Sequence, residues 1–280
     1  MDRSVLIAVV AGALQGIFEW LPISSEGNIT VFLTALGSSP EAAVQFSLFL
    51  HAGTALSATV YYRDELADVL GALPDWRPGN AFPDADRRDA NCDETATLSF
   101  LAVATLASGV VGIAAYLTLE TVVSALTGGA FVALVGVLLV LTGVLQRVAD
   151  GFEFGGRASP DLADAVLVGA LQGLAILPGV SRSGTTASAL LFRGHDGPSS
   201  FRLSFLLSIP AALGAGVLVL LDTGIPSVAP VEAVLALVTA AVVGYLTIDA
   251  LMRVVERVPF WGVCVGLGAL AVAGGAALTI

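Results

Sequence analysis

The chain has 280 residues, of which 56% are hydrophobic and only 12% are charged. Soluble domains carry about 25% charged residues, so a soluble protein of this length would lack the charge to cover its surface. Intrinsic disorder is excluded too, because it requires low hydrophobicity together with high charge density. Together with a mean hydropathy of +0.89, the composition predicts a multi-pass protein of the cell membrane.

The charge balance is acidic, with a formal net charge of −11 at pH 7. All 12 basic residues are arginine, which leaves two explanations: a drift in base composition, or adaptation to high salt. We favour high salt, because acidic loops stay hydrated there, and this predicts a halophilic archaeal source. Nucleic acid is not an expected partner, since its binding needs basic patches.

Eight apolar stretches follow one another, and most reach the roughly 20 residues that a helix needs to cross a membrane. We predict an all-α, polytopic membrane protein that forms a single integral membrane domain over residues 1–280, with about six full transmembrane helices. The stretches are residues 4–22, 41–62, 96–117, 126–146, 163–178, 201–221, 230–251 and 259–279.

Two polar runs interrupt this pattern. The first apolar stretch ends at Leu21-Pro22, ahead of a Ser-Ser-Glu-Gly-Asn run, and the fifth ends at a Pro-Gly step, ahead of Ser-Arg-Ser-Gly-Thr-Thr. The apolar segments that follow, 29–36 and 187–192, are too short to span. Because short helices around a polar break are typical of re-entrant structures, we predict two broken re-entrant helix hairpins.

Polar connections between the apolar stretches are few. Residues 63–95 are rich in acids and contain several prolines, which predicts a solvated loop, with a short interfacial helix from Asp64 to Leu73. Residues 147–162 form a polar connection near the middle of the chain. That connection is a natural boundary between two halves.

Internal repetition supports this division, because the five residues at 12–16 recur letter for letter at 169–173. We predict two related, inverted repeats at about 1–146 and 163–280, which places a binding site at their interface within the membrane. A chance match in an apolar chain is the alternative. Leu21-Pro22 recurs one residue closer as Leu177-Pro178, and this register pairs Ser25 with Ser181 and Glu26 with Arg182.

Glu19 lies inside the first apolar stretch, where an ionisable side chain costs a few kcal/mol or more and usually faces a cavity. Gln15 precedes it by one helical turn and shares its helix face. The two residues can therefore present an amide and a carboxylate to one cavity. The alternative is that the Glu19 side chain reaches the membrane surface, which suits Lys and Arg better.

Arg182 follows the second break, and a guanidinium binds phosphate oxygens through two parallel donors. Hydroxyls and the free N–H groups at the start of a short helix add further anion contacts. The run therefore predicts a phosphate-binding loop, and the alternative is a helix cap beside an interfacial arginine. The predicted ligands around Arg182 are Ser181, Ser183, Thr185 and Thr186.

Ser24 and Ser25 follow the first break, and they would meet Arg182 if the two tips touch. A hydroxyl nucleophile beside the Glu19 carboxylate, with a cation for the developing charge, makes a workable phosphoryl-transfer site. Duplicated halves with broken helices also suit a lipid or anion transporter, which is the alternative hypothesis. The reactive residue types favour the enzyme.

Two motifs resemble a known family. Gln15-x-x-x-Glu19 followed by Leu21-Pro22-Ile23-Ser24-Ser25-x-Gly27 resembles the first signature of the undecaprenyl-diphosphate phosphatase family, of the bacitracin-resistance type. The stretch Pro178-Gly179-Val180-Ser181-Arg182-Ser183-Gly184-x-Thr186 resembles the second. The resemblance covers nearly the whole chain apart from residues 63–95. It implies a membrane hydrolase that removes the terminal phosphate of a polyprenyl diphosphate, recycles the glycan lipid carrier and confers bacitracin resistance.

Carried over by position, the resemblance implies that Ser25 is the nucleophile, that Glu19 is the base or a metal-associated carboxylate, and that Arg182 clamps the diphosphate. It also implies a divalent cation, Mg or Ca. We further expect membrane lipids and a homo-oligomer as partners. The length of the prenyl chain and the membrane face of the site stay open.

The remaining diphosphate-binding positions of the first motif are Gln15, Ser24 and Asn28. The family usually has a histidine where this chain has Asn28. Because an amide cannot take up or release a proton, any general-acid role of that histidine is lost here or has moved to another residue. His51 is one candidate, although its position in a later span gives no direct support.

Overall fold

The computed structural model describes residues 3–83, 90–150, 156–157, 159–222, 228–255 and 257–278. These residues are almost entirely helical, and their β-structure amounts to an isolated bridge between Arg157 and His195. The predicted all-α class is confirmed. The helices are α1 (Arg3–Phe18), α2 (Ser25–Ala35), α3 (Pro40–Tyr61), α4 (Arg63–Gly71), α5 (Ala90–Ala125), α6 (Gly128–Ala149), α7 (Leu162–Gly173), α8 (Arg182–Phe192), α9 (Gly197–Asp222), α10 (Pro230–Val255) and α11 (Trp261–Ala277). Short 3₁₀ helices cover Leu73–Asp75, Pro78–Asn80 and Leu174–Ile176.

Five of the described helices, α3, α5, α6, α9 and α10, are long and apolar enough to cross a membrane. Leucines on their outer faces, such as Leu106, Leu221 and Leu246, are 72%, 82% and 72% exposed. Such exposure suits lipid rather than water. The multi-pass membrane class is therefore confirmed.

The sixth predicted span corresponds to α11, which has 17 residues. At the usual rise per residue it reaches about 26 Å, slightly less than the roughly 30 Å hydrocarbon core of a bilayer. The sequence predicts about six full spans, and the described residues contain five helices of that length and one shorter apolar helix.

Both predicted breaks are present. The chain leaves α-helical geometry after α1 and again after α7, where the 3₁₀ helix Leu174–Ile176 comes first. It re-enters an α-helix at α2 and α8, which have 11 residues each. Each re-entry is capped by a serine: Ser24 accepts a hydrogen bond from the Gly27 N–H, and Ser181 accepts one from the Gly184 N–H. Neither α2 nor α8 is long enough to cross a bilayer.

The two caps correct the register predicted between the halves. Ser24, not Ser25, is the counterpart of Ser181, so Ser25 rather than Glu26 corresponds to Arg182 as the first helical residue. The physical reason is one additional residue after the second proline. Gly179 occupies it with φ of +105°, a left-handed conformation that glycine adopts without steric cost.

The packing of helices is similar in the two halves. α1 packs on α10 as α7 packs on α5, α2 packs on α3 as α8 packs on α9, and α10 packs on α3 as α5 packs on α9. Four of these contacts, α1–α10, α5–α7, α3–α10 and α5–α9, already run from one half to the other, and the α6–α11 and α3–α9 contacts join counterpart helices of the two halves. Such an exchange pattern supports two related repeats, while their boundaries and inverted orientation stay predictions.

The long polar segment contains α4, which agrees with the short helix expected from Asp64 to Leu73. Its last part, residues 90–95, is the beginning of α5 rather than loop. Residues 84–89 of this segment lie outside the described residues, as do 151–155 and 158 of the mid-chain connection.

An ion cluster ties the described part of the mid-chain connection to the second hairpin. Asp164, in the first turn of α7, is fully buried and accepts hydrogen bonds from Arg157 (3.0 Å) and Arg193 (2.6 Å). His195 Nε2 lies 3.0 Å from the same carboxylate, and Asp161 pairs with both arginines. The cluster holds the outer ends of α7 and α8 together.

Candidate active site

The tips of the two hairpins touch each other at Ser24. The Ser24 Oγ accepts hydrogen bonds from the Gly27 N–H and, across the interface, from the Gly179 N–H, both at 3.2 Å. A Cβ on Gly27 would stand 2.6 Å from the Gly179 nitrogen, so glycine is required there for close approach. The close contact brings the first residues of α2 and α8, Ser25 and Arg182, to one place.

Glu19 is the centre of the group that these tips form. Its side chain is 4% exposed, and its two carboxylate oxygens are divided between different partners. Oε1 accepts a hydrogen bond from the Arg182 Nη2 group, while Oε2 accepts bonds from the Ser25 Oγ at 2.8 Å and the Gln15 Nε2 at 2.9 Å. Because the Ser25 hydroxyl donates to a carboxylate, this residue pair has the arrangement of a nucleophile with its base.

Arg182 is the cation of the site, and its side chain is 13% exposed. Nη2 is engaged by Glu19, whereas Nη1 is buried and reaches no hydrogen-bond partner in the described part of the chain. A buried donor without a partner is costly, and phosphate oxygens match a guanidinium well. The N-termini of α2 and α8 point to the same place and favour an anion.

A small cavity of about 20 Å³ lies between the tips and is lined by Glu19, Ser25 and Arg182, among others. It adjoins a larger cavity of about 340 Å³ that runs between α5, α7 and α9. Glu26, His51 and Arg182 line both. The larger cavity is thus polar at the end beside Arg182 and apolar along most of its length.

Glu26 and His51 belong to the site, although the sequence motifs did not assign them to it. Glu26 is 4% exposed, and its Oε1 atom has no partner among the described residues. The His51 Nε2 atom lies 3.5 Å from Glu19 Oε2. The sequence offered His51 as a candidate replacement for the family's histidine without direct support. A further signal is that it is an ionisable residue inside an apolar stretch, as Glu19 is.

The other predicted ligands differ in where the structure places them. Ser24, Ser181 and Ser183 line the small cavity, in agreement with a phosphate-binding role. Gln15 lies behind Glu19 and donates to it. The predicted ligands that line neither of these cavities are Gln15, Asn28, Thr185 and Thr186.

Hydrogen bonds explain two of these placements. The Asn28 amide donates to the carbonyl oxygens of Ile23 (2.7 Å) and Ser24 (2.9 Å), and so braces the first tip. The Thr186 hydroxyl lies 2.6 Å from the Ser204 hydroxyl and fastens α8 to α9. Neither of these two side chains is turned toward the reacting groups.

The site does not fit a divalent cation held by protein ligands alone. Such an ion needs several oxygen or nitrogen ligands around one point, and across the described residues no three His, Cys, Asp or Glu side chains are grouped in that way. Glu19, the carboxylate that the resemblance connects with a metal, already has both oxygens bound by protein donors.

Fold and site together define a polytopic membrane protein in which a serine bonded to a carboxylate and a largely buried arginine meet at the tips of two broken helices. Comparison with known proteins agrees: the bacitracin resistance protein BacA family matches residues 8–270. A relative from Haloarcula marismortui, a halophilic archaeon, is named undecaprenyl-diphosphatase and is 57% identical over 272 residues, 97% of each chain. The chain belongs to the BacA family.

More distant relatives carry the same name. The undecaprenyl-diphosphatase of Methanococcoides burtonii is 38% identical over 95% of this chain and 96% of its own. That of Methanopyrus kandleri is 38% identical over 94% of this chain and 93% of its own. All three sources are archaeal, and the Haloarcula relative supports the halophilic archaeal origin predicted from the acidic composition.

Proposed function

We propose that this chain is a membrane phosphatase that hydrolyses a polyprenyl diphosphate of the undecaprenyl type to the monophosphate and inorganic phosphate. The reaction returns the lipid carrier to glycan assembly and removes the diphosphate that bacitracin binds. The observation that carries the proposal is the Ser25–Glu19 hydrogen bond of 2.8 Å beside the unpartnered Nη1 group of Arg182. The names of the relatives support the same substrate.

The chemistry follows from this geometry. Ser25 Oγ attacks the terminal phosphorus as its proton passes to Glu19 Oε2, and the bond to the bridging oxygen breaks. The lipid monophosphate leaves, and water then hydrolyses the phosphoserine. Arg182 and the two helix N-termini stabilise the charge that develops on the phosphoryl oxygens.

The larger cavity explains how a lipid reaches this site. Its apolar end includes Ile113 on α5 and Val217 and Leu221 on α9, which are 52%, 53% and 82% exposed on the outer surface. The cavity therefore opens sideways, toward lipid. A prenyl chain would lie along it, with the diphosphate directed to Arg182.

The divalent cation stays a prediction. Magnesium usually keeps waters and substrate phosphates as ligands and uses few protein carboxylates. We propose that the cation reaches the site on the diphosphate itself, which agrees with the lack of a protein-only metal cluster in the described residues. The homo-oligomer also stays a prediction, and light scattering of the detergent complex would test it.

Phosphate release from a polyprenyl diphosphate by the purified protein in detergent tests the proposed function. Arg182→Ala should reduce release by at least about 100-fold, in the range found when one charge-stabilising donor is removed. Arg253→Ala is the matched control, because Arg253 is 67% exposed and pairs with Asp249 on the outside of α10. A rate for Arg182→Ala equal to that of the control would contradict the site.

The transporter alternative makes a different prediction in vesicles. It requires movement of the lipid diphosphate across the bilayer without phosphate release, and Ser25→Ala would leave that movement intact. The symmetrical packing of the halves fits a transporter scaffold. The Ser25–Glu19 pair has no function in transport, so we favour the enzyme.

A further inference from the structure

His51 projects from the middle of α3 into the site. Its side chain is 11% exposed, and its Nε2 atom lies 3.5 Å from the Glu19 oxygen that accepts the Ser25 hydroxyl. The ring lines the small cavity together with Arg182 and also the polar end of the lipid cavity. The ring therefore borders both the space beside Ser25 and the cavity assigned to the lipid.

A hydrogen bond to the backbone of α3 fixes the orientation of the His51 ring. His51 Nδ1 lies 2.9 Å from the Ser47 carbonyl oxygen, one turn earlier on the same helix. A carbonyl only accepts hydrogen bonds, so Nδ1 carries the hydrogen and Nε2 is directed toward the reacting groups. In the neutral ring Nε2 accepts a proton, and in the imidazolium it donates one.

Histidine is better suited to this task than the amide at position 28. Histidine exchanges protons near neutral pH, whereas an amide does not. The Asn28 amide is also committed to the Ile23 and Ser24 carbonyl oxygens. His195, the second histidine of the chain, is fully buried beside Asp164 in the ion cluster.

The charged groups around His51 come from three elements. Glu19 precedes the first tip, Glu26 belongs to α2, and Arg182 begins α8. The cavity-lining residues from α5, α7 and α9 are uncharged, and α10 meets α3 near His51 through Leu237, Ala240 and Ala241 at Gly53. Two carboxylates and one arginine thus set the field at the ring.

We propose that His51 is a catalytic residue of this site and moves the proton that Asn28 cannot move. The proposal rests on the phosphatase function. As Ser25 Oγ bonds to the terminal phosphorus, the bond to the bridging oxygen breaks and its electron pair stays on that oxygen. Glu19 takes the serine proton, and His51 Nε2 delivers a proton to the bridging oxygen.

The second half of the reaction restores both groups. Water attacks the phosphoserine, and neutral His51 Nε2 takes a proton from that water. The bond between phosphorus and Ser25 Oγ breaks, and Glu19 returns the proton to the serine oxygen. Inorganic phosphate leaves, and His51 and Glu19 have their starting protons again.

Two substitutions replace the ring while each keeps a nitrogen near one of its two nitrogen positions. His51→Asn keeps a donor near the Nδ1 position and can still bind the Ser47 carbonyl, while His51→Gln keeps an amide nitrogen near the Nε2 position. Neither amide can deliver a proton to the substrate or take one from water. Phosphate release from farnesyl diphosphate in detergent should fall about 100-fold or more for both variants, whereas Km should change less than kcat.

A pH profile and a rescue experiment distinguish catalysis from a structural role. The pH dependence of kcat should differ between the wild type and His51→Gln. Added imidazole should raise the rate of His51→Ala. The matched control is Thr59→Ala, two turns along α3, where the hydroxyl donates to the Ala55 carbonyl; it should keep the wild-type rate and profile.

The outcomes are separable. A wild-type protein that releases no phosphate would overturn the proposed function and this assignment with it. An active wild type with an equally active His51→Gln variant and an unchanged pH profile would overturn the assignment of His51 alone. A loss of rate without a change in pH profile and without imidazole rescue would reduce His51 to a packing residue.

Discussion

The contact between the two tips makes Gly27 a position where a single methyl group should damage the site directly. In Gly27→Ala the new Cβ would stand 2.6 Å from the Gly179 nitrogen, 2.9 Å from the Gly179 Cα and 3.0 Å from the Ser24 Oγ. Two of these three atoms are backbone and cannot rotate away. The tips must therefore separate by about 1 Å to reach ordinary contact distances.

That separation acts directly on catalysis. It breaks the 3.2 Å bond from the Gly179 N–H to Ser24, and it moves Ser25 away from Arg182. A displacement of about 1 Å in a catalytic arrangement costs on the order of 100-fold in rate. We expect phosphate release by Gly27→Ala to fall by about that factor, with the protein still folded, because the change is confined to the tips.

Gly266→Ala is the matched control, since a Cβ at that position in α11 would meet open space. It should keep the wild-type rate and gain slightly in helix stability. Both variants should be compared by phosphate release, size-exclusion profile and thermal unfolding in the same detergent. A Gly27→Ala rate within about threefold of wild type, given the precision of such geometric arguments, would refute the reasoning about the tips.

Three further predictions follow from the same structure. Ser25→Ala should abolish phosphate release and any phosphoenzyme but still bind farnesyl diphosphate, as measured by calorimetry; residual turnover with a phosphoenzyme would point to another nucleophile. Arg182→Lys should stay impaired at least tenfold, because an ammonium cannot bind two oxygens as a guanidinium does, and wild-type kinetics in this variant would exclude the clamp. Excess chelator should lower the rate and added Mg or Ca should restore it, whereas an insensitive rate would dismiss the predicted cation.

A fourth prediction concerns the ion cluster outside the spanning helices. Burial by itself would raise the pKa of the Asp164 carboxyl, but hydrogen bonds from His195, the Asp161 backbone and Arg193 outweigh burial and hold that pKa well below its usual range. A lowered native pKa stabilises the folded state above about pH 4 and ceases to do so as the pH falls further. The difference in melting temperature between wild type and Asp164→Asn should therefore shrink from pH 7 to pH 3, and a constant difference would contradict this linkage.

The sequence by itself determined the class and the chemical core of this protein. Hydrophobic runs, polar breaks and the repeated segment are local patterns, and they located the long helices and both broken hairpins. Glu19, Ser25 and Arg182 were identifiable because ionisable and reactive side chains are rare inside apolar stretches and therefore conspicuous. Their convergence was a conditional prediction, which the contact between Ser24 and Gly179 fulfils.

Only the tertiary structure decided which further residues join them. It brought His51 and Glu26 into the site, turned Asn28 and Thr186 to other partners, and shifted the register of the two tips by one residue through Gly179. The physical reason is that these outcomes depend on where α3, α8 and α9 pack against each other. Such contacts join residues that are distant in sequence, and the hydrophobic periodicity of a single helix cannot predict them.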